Sequence, residues 1–125
     1  MSPSASSSAR AGRLKKAIEF RDSAELIEEF MSDADRRDAY VTLCVHAGIA
    51  AADVICMDAL GEYYSGPSHD TAAKLLAKVD TASAKQLATL LGMKTKAGYS
   101  DVPVSNEQLA RAKRAMEGLV DRATK

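Results

Sequence analysis

Residues 41–60 are apolar along nearly their whole length, with Thr42, His46, Asp53 and Asp58 as the polar side chains. Such a run approaches the length of a membrane span. Two carboxylates and a histidine with no partner nearby in sequence argue against lipid as its surroundings. A helix apolar on most of its circumference and enclosed by other helices satisfies the same pattern. Its middle, Ala47-Gly48-Ile49-Ala50-Ala51-Ala52, carries little side-chain bulk, so another backbone can approach closely there. The chain is therefore expected to fold around this segment, away from any membrane.

The remaining sequence repeats the helical period. Alternation of apolar and polar residues, the mark of a half-buried strand, does not occur over any useful length. A first helix is expected over 13–31, with Ala17, Phe20, Ala24, Ile27 and Met31 on one stripe, and with a break near Arg21 if Asp22 and Glu25 form a capping box. A second covers 32–60 and stops at Gly61. Gly66-Pro67 turns the chain into a short third helix over 70–79. The fourth spans 81–97, with Leu87, Leu90 and Leu91 inward. Ser105-Asn106-Glu107-Gln108 reads as a capping box opening the last helix, whose inward face is Leu109, Ala112, Met116, Leu119, Val120 and Ala123. Short connections favour antiparallel neighbours, so the fold class is all-α, an up-and-down bundle of about five helices. No repeat of solenoid length is present.

One hundred and twenty-five residues suit one domain. Residues 1–12, rich in serine and poor in apolar groups, are expected to be a disordered tail, leaving 13–125 as the folded domain. They lack the apolar core of a signal peptide. Lys and Arg number 17 and Asp and Glu 17, so no global field marks a nucleic-acid or membrane binder and only local patches can do so. Cys44 and Cys56, twelve residues apart on one helix, would stand ~18 Å apart, beyond disulfide reach. Buried reduced thiols and a cytoplasmic location follow. No metal-ligand spacing, nucleophile elbow or phosphate-cradling glycine loop occurs, and no cofactor is called for.

Three polar groupings stand out. Thr42, His46 and Asp53 lie along one side of the second helix. Asp53 is expected to accept from a lysine, arginine or tyrosine of another helix; the alternative is a small polar pocket in which His46 titrates near neutrality. The segment 94–101 places Lys94 and Lys96 close to Tyr99. Lysines there suit a helix C-terminus, and beside a tyrosine they also suit a phosphate with a stacked base. Arg111, Arg114, Arg122 and Lys125 form a stripe on the last helix that would suit a phosphate backbone, but Glu107–Arg111 and Asp121–Lys125 read as ordinary surface pairs, the reading preferred here.

The run Ala47-Gly48-Ile49-Ala50-Ala51-Ala52-Asp53, the connection Gly66-Pro67-Ser68-His69, the run Leu90-Leu91-Gly92-Met93-Lys94-Thr95-Lys96-Ala97-Gly98-Tyr99 and the closing Val104-Ser105 helix start together resemble the HEPN superfamily over nearly the whole folded part. The resemblance implies a small helical bundle, commonly dimeric and linked to RNA. Many members are metal-independent ribonucleases in toxin–antitoxin or defence systems; others are silent accessory subunits. Active members carry an arginine four to six residues before a histidine. Here Arg37 is nine residues before His46, and no arginine is near His69. At the corresponding place stand Lys94 and Tyr99; lysine lacks the bidentate fork, and tyrosine is a poor base at neutral pH. The resemblance therefore implies a non-catalytic, RNA- or nucleotide-associated module with Lys94, Lys96 and Tyr99 as contacts and Asp53, His69 and His46 as a polar pocket. A homodimeric protein-interaction module and a divergent ribonuclease are the alternatives.

Overall fold

The computed structural model describes residues 6–30 and 36–125. Among these residues the fold is all-α: α1 (Ser7–Phe30), α2 (Arg37–Leu60), α3 (His69–Ala77), α4 (Thr81–Leu91), α5 (Lys94–Tyr99) and α6 (Asn106–Ala123). Met31 and the expected start of the second helix at Ser32 lie outside the described residues, as does the start of the expected tail.

Helix α2 is the axis of the bundle. Tyr40, Val41, Cys44, Val45, Ala47, Ala51 and Val54 are almost wholly buried. Helices α1, α4, α5 and α6 all pack on it. It is long and apolar enough to cross a membrane, but those neighbours enclose most of it. Gly61 ends it in the left-handed conformation at φ 72°, donating its N–H to Met57 O at 3.0 Å.

Polar contacts at the helix ends set the directions. Arg10 forks onto Asp58 at 2.5 and 3.0 Å, so α1 runs antiparallel to α2. Arg37 donates to Val104 O at 2.7 Å, and Asp38 accepts from Val104 N–H at 2.9 Å. The beginnings of α2 and α6 are thereby tied together, and these two helices run the same way. Lys113 of α6 pairs with Glu28 of α1 at 2.9 Å. The long helices α1, α2, α4 and α6 thus alternate in direction along the chain, with α3 and α5 as short insertions.

Three expectations are corrected. Residues 7–12 are helical, not a tail: Ser6 accepts from Ala9 N–H at 3.1 Å as a cap, and the Arg10–Asp58 pair anchors this turn. No break occurs near Arg21, which instead pairs with Asp22 and Glu25 on the outside of a continuous helix. The fourth helix, in contrast, does break, ending at Leu91. Gly92 is a weak helix former, Met93 turns into the core, and α5 starts on a new axis. The capping box of α6 forms as read: Ser105 Oγ accepts from Gln108 N–H at 3.0 Å, and Gln108 Oε1 accepts from Ser105 N–H at 2.8 Å.

The core holds one polar misfit. Tyr40 is fully buried, and its hydroxyl has no hydrogen-bond partner among the described residues. Burial, with Cys44 and Glu28 adding to it, pushes the phenol further from ionisation. A buried hydroxyl without a partner contributes desolvation penalty and no bond. Tyr40→Phe is therefore expected to hold or raise the thermal midpoint; a loss of more than ~1 kcal/mol in chemical denaturation would contradict this.

Candidate functional site

A cavity of about 180 Å³ opens where α2, α3, α4 and the start of α5 meet. Asp53 and Cys56 face it from α2, Leu87 and Leu91 from α4, and Lys94 from α5. Its roof is the connection between α2 and α3. Tyr64 Oη accepts from Ser68 N–H at 3.0 Å, which folds Gly66-Pro67 over the tyrosine ring. Glycine at 66 lets the turn lie on the ring: a Cβ there would be 2.3 Å from the Tyr64 hydroxyl and would have to push the ring aside. Ser68 in turn caps α3 by accepting from Thr71 N–H at 3.2 Å. His69 therefore enters the cavity wall as the first residue of α3. The break after Leu91 brings Lys94 to the same wall.

Asp53 is the most unusual group. Arg13 of α1 approaches its Oδ2 at 3.5 Å, too long for a good hydrogen bond, and lies 5.2 Å from the centre of the Tyr63 ring. No hydrogen bond reaches the carboxylate among the described residues. Burial raises its pKa to about 7, and the attraction of Arg13 only partly opposes this. The expected partner from another helix is thus present but distant. Burial likewise pushes the Cys56 thiol up to about 11 and Cys44 to about 12, so neither is a ready nucleophile.

Three of the six sequence-derived residues, Asp53, His69 and Lys94, share this cavity. The others do not. His46 lies two turns before Asp53 on the same strip of α2, but it is exposed and packs against Phe20 of α1, ring centres 5.6 Å apart. The cavity opens only at the level of the connection from 66 to 69, so His46 does not join the polar pocket. Lys96 is half-buried, and Tyr99 is 82% exposed; neither lines the cavity. Among the described residues no cluster of three His, Cys, Asp or Glu gathers as metal ligands would.

A second feature is only half legible in the sequence. Lys85, Gln86 and Thr89 of α4 face Arg111, Arg114 and Ala115 of α6 across an open groove of about 230 Å³. Among the described residues, neither Arg111, Arg114 nor Lys85 forms an ion pair, and the expected pairs Glu107–Arg111 and Asp121–Lys125 are not made. The stripe continues to Arg122 and Lys125, which line a further hollow with Asp58. The arginine spacing on α6 was visible in sequence; the contribution of Lys85 depends on the register of α4 against α6.

No protein-family model matches this chain, and no curated protein matches it significantly.

The titration of Asp53 has a definite sign. Its carboxyl has an ordinary value of 3.8 and lies at about 7 in the fold. Below pH 3.8 it is neutral in both states and burial carries no charge penalty. Between those values the unfolded chain ionises first, so stability falls as pH rises, and above pH 7 the loss is complete at on the order of 4 kcal/mol. Asp53→Asn removes the charge. Its thermal midpoint is expected to exceed that of the wild type at pH 8, by a margin that shrinks steadily toward pH 4.5. A variant less stable at pH 8 than at pH 4.5, relative to wild type, would contradict this.

Proposed function

We propose that this chain is a non-catalytic, nucleic-acid-associated accessory module of HEPN type, acting in the cytoplasm in a defence or toxin–antitoxin setting. The observation that carries the reading is the set of cations Lys85, Arg111 and Arg114 facing one groove, none of them in an ion pair among the described residues. A neutral chain has no general attraction for polyanions, so a local cluster of cations that form no ion pair among the described residues is the place for phosphate. From Arg111 to Arg122 the stripe extends ~17 Å along α6, long enough to follow several phosphates of a strand. Tyr99 supplies a separate exposed aromatic surface near Lys96 on α5, suited to stacking an unpaired base. The family assignment rests on the sequence runs quoted above, and the all-α bundle is compatible with it.

The family habit of pairing in dimers makes a homodimer part of this proposal. Leu26 and Phe30, 57% and 78% exposed, lie with Ile27, Arg36 and Ala39 around a shallow hollow and offer an apolar contact face. The same patch supports a second reading, a protein-interaction module with no nucleic acid.

Fluorescence anisotropy with labelled RNA and DNA of about twelve nucleotides at low salt separates the readings. Binding tighter than ~100 μM is expected, with the RNA recovered intact. Changing Arg111 and Arg114 together to alanine is expected to weaken it about tenfold or more and to lower the salt slope by about 2. Tyr99→Ala should have a smaller effect, little dependent on salt. No binding at low salt, with a dimer in light scattering, would favour the interaction module; cleaved RNA would favour the ribonuclease.

A further inference from the structure

We propose that the cavity between α2, α3 and α4 binds a small amphipathic amine, with its ammonium on Asp53 and its apolar body among Ile49, Leu75, Leu87 and Leu91.

The first argument is shape. About 180 Å³ is far more than one water occupies and is close to the space that accepts a benzene-sized guest. Ile49, Ala52, Ala72, Leu75, Leu87 and Leu91 give it an aliphatic side on which water finds no partner. Small residues keep the space open. Ala52 and Ala72 stand where larger side chains would fill it, and Gly66 lets the roof lie on Tyr64. The roof is held by the Tyr64–Ser68 hydrogen bond, so the cavity is built by a fixed connection.

The second argument is charge. Asp53 is 9% exposed, and among the described residues its only charged neighbour within ion-pair range is Arg13, at 3.5 Å from Oδ2. Arg13 comes from α1 and is not part of the cavity wall. A buried carboxylate is stabilised by short donors, and the fold supplies none to either oxygen among the described residues. An ammonium entering from the cavity supplies that bond. The groups facing Asp53 are Arg13 from α1, Cys56 from its own helix, Tyr64 from the connection, His69 from α3 and Lys94 from α5; α4 contributes only leucines.

An anionic ligand fits less well. His69 is exposed and Lys94 half-buried, so the cations sit toward solvent while the carboxylate sits inside. An anion held there would leave the apolar interior unused. The amine-first orientation fills it. This site uses different residues from the α4–α6 groove, so the two proposals fail separately.

Benzylamine, benzyl alcohol and benzoate serve as probes, titrated into the isotope-labelled full chain at pH 8 and followed by amide chemical shifts. Benzylamine is expected to saturate with a Kd below ~1 mM, at least about tenfold tighter than the alcohol or the acid. Asp53→Asn should remove that preference, and Ala72→Leu, a filling change on a half-buried helix face, should weaken binding about tenfold. At pH 5.5 the amine should bind at least about tenfold more weakly, because a proton competes for the carboxyl; the same loss should persist in His69→Gln. The proposal is overturned if no saturation is reached by ~10 mM, if benzoate or benzyl alcohol binds as well as the amine, or if Asp53→Asn binds the amine unchanged.

Discussion

The structure depends on how closely other helices approach the middle of α2. A Cβ placed on Gly48 would lie 2.3 Å from Leu90 Cδ1 and 3.2 Å from Leu119 Cδ1. Leu90 from α4 and Leu119 from α6 therefore pack directly on the α2 backbone, and both are fully buried. A larger residue at 48 would have to push aside Leu90 and crowd Leu119, both fully buried. Ala47, Ala50 and Ala51 continue the same low-bulk surface.

Both candidate sites follow from this seam. Because α4 and α6 meet over Gly48, their outer faces form the groove that gathers Lys85, Arg111 and Arg114. Toward the end of α2, α3 packs mainly on α4 and barely on α2. The space left between them is the cavity, and Asp53 is the polar residue of α2 that falls at its level. A carboxyl held in such a place is weakly neutralised from outside by Arg13 and is available from inside. The polar ties at the ends, Arg10–Asp58 and Arg37–Val104, hold the register that the apolar middle leaves free.

Much of this was legible in the sequence where the cause is local. Gly61 and the Ser105–Gln108 box act within one turn, so both boundaries could be read directly. The circumference of α2 could be read from composition alone. Long-range causes were not legible. The turn from Ser7 to Gly12 is fixed by a bond from Arg10 to a residue 48 positions away. The end of α4 was overrun because Met93 continues the apolar period while packing from a different axis. His46 and Asp53 share a strip, as their spacing requires, yet only the fold of the connection over 66–69 decides which of them meets a cavity. The cation groove needed the pairing of α4 with α6, which no single helix reveals.

The claim underlying all of these features is that the middle of α2 is the least openable part of the molecule. Native-state amide hydrogen exchange measures this directly. Amides over residues 45–55 are expected to exchange only through global unfolding, at least about a hundredfold more slowly than those of α3, which packs mainly on α4 at one wall of the cavity. Exchange in the middle of α2 as fast as in α3 would mean that the seam at Gly48 does not hold the bundle together.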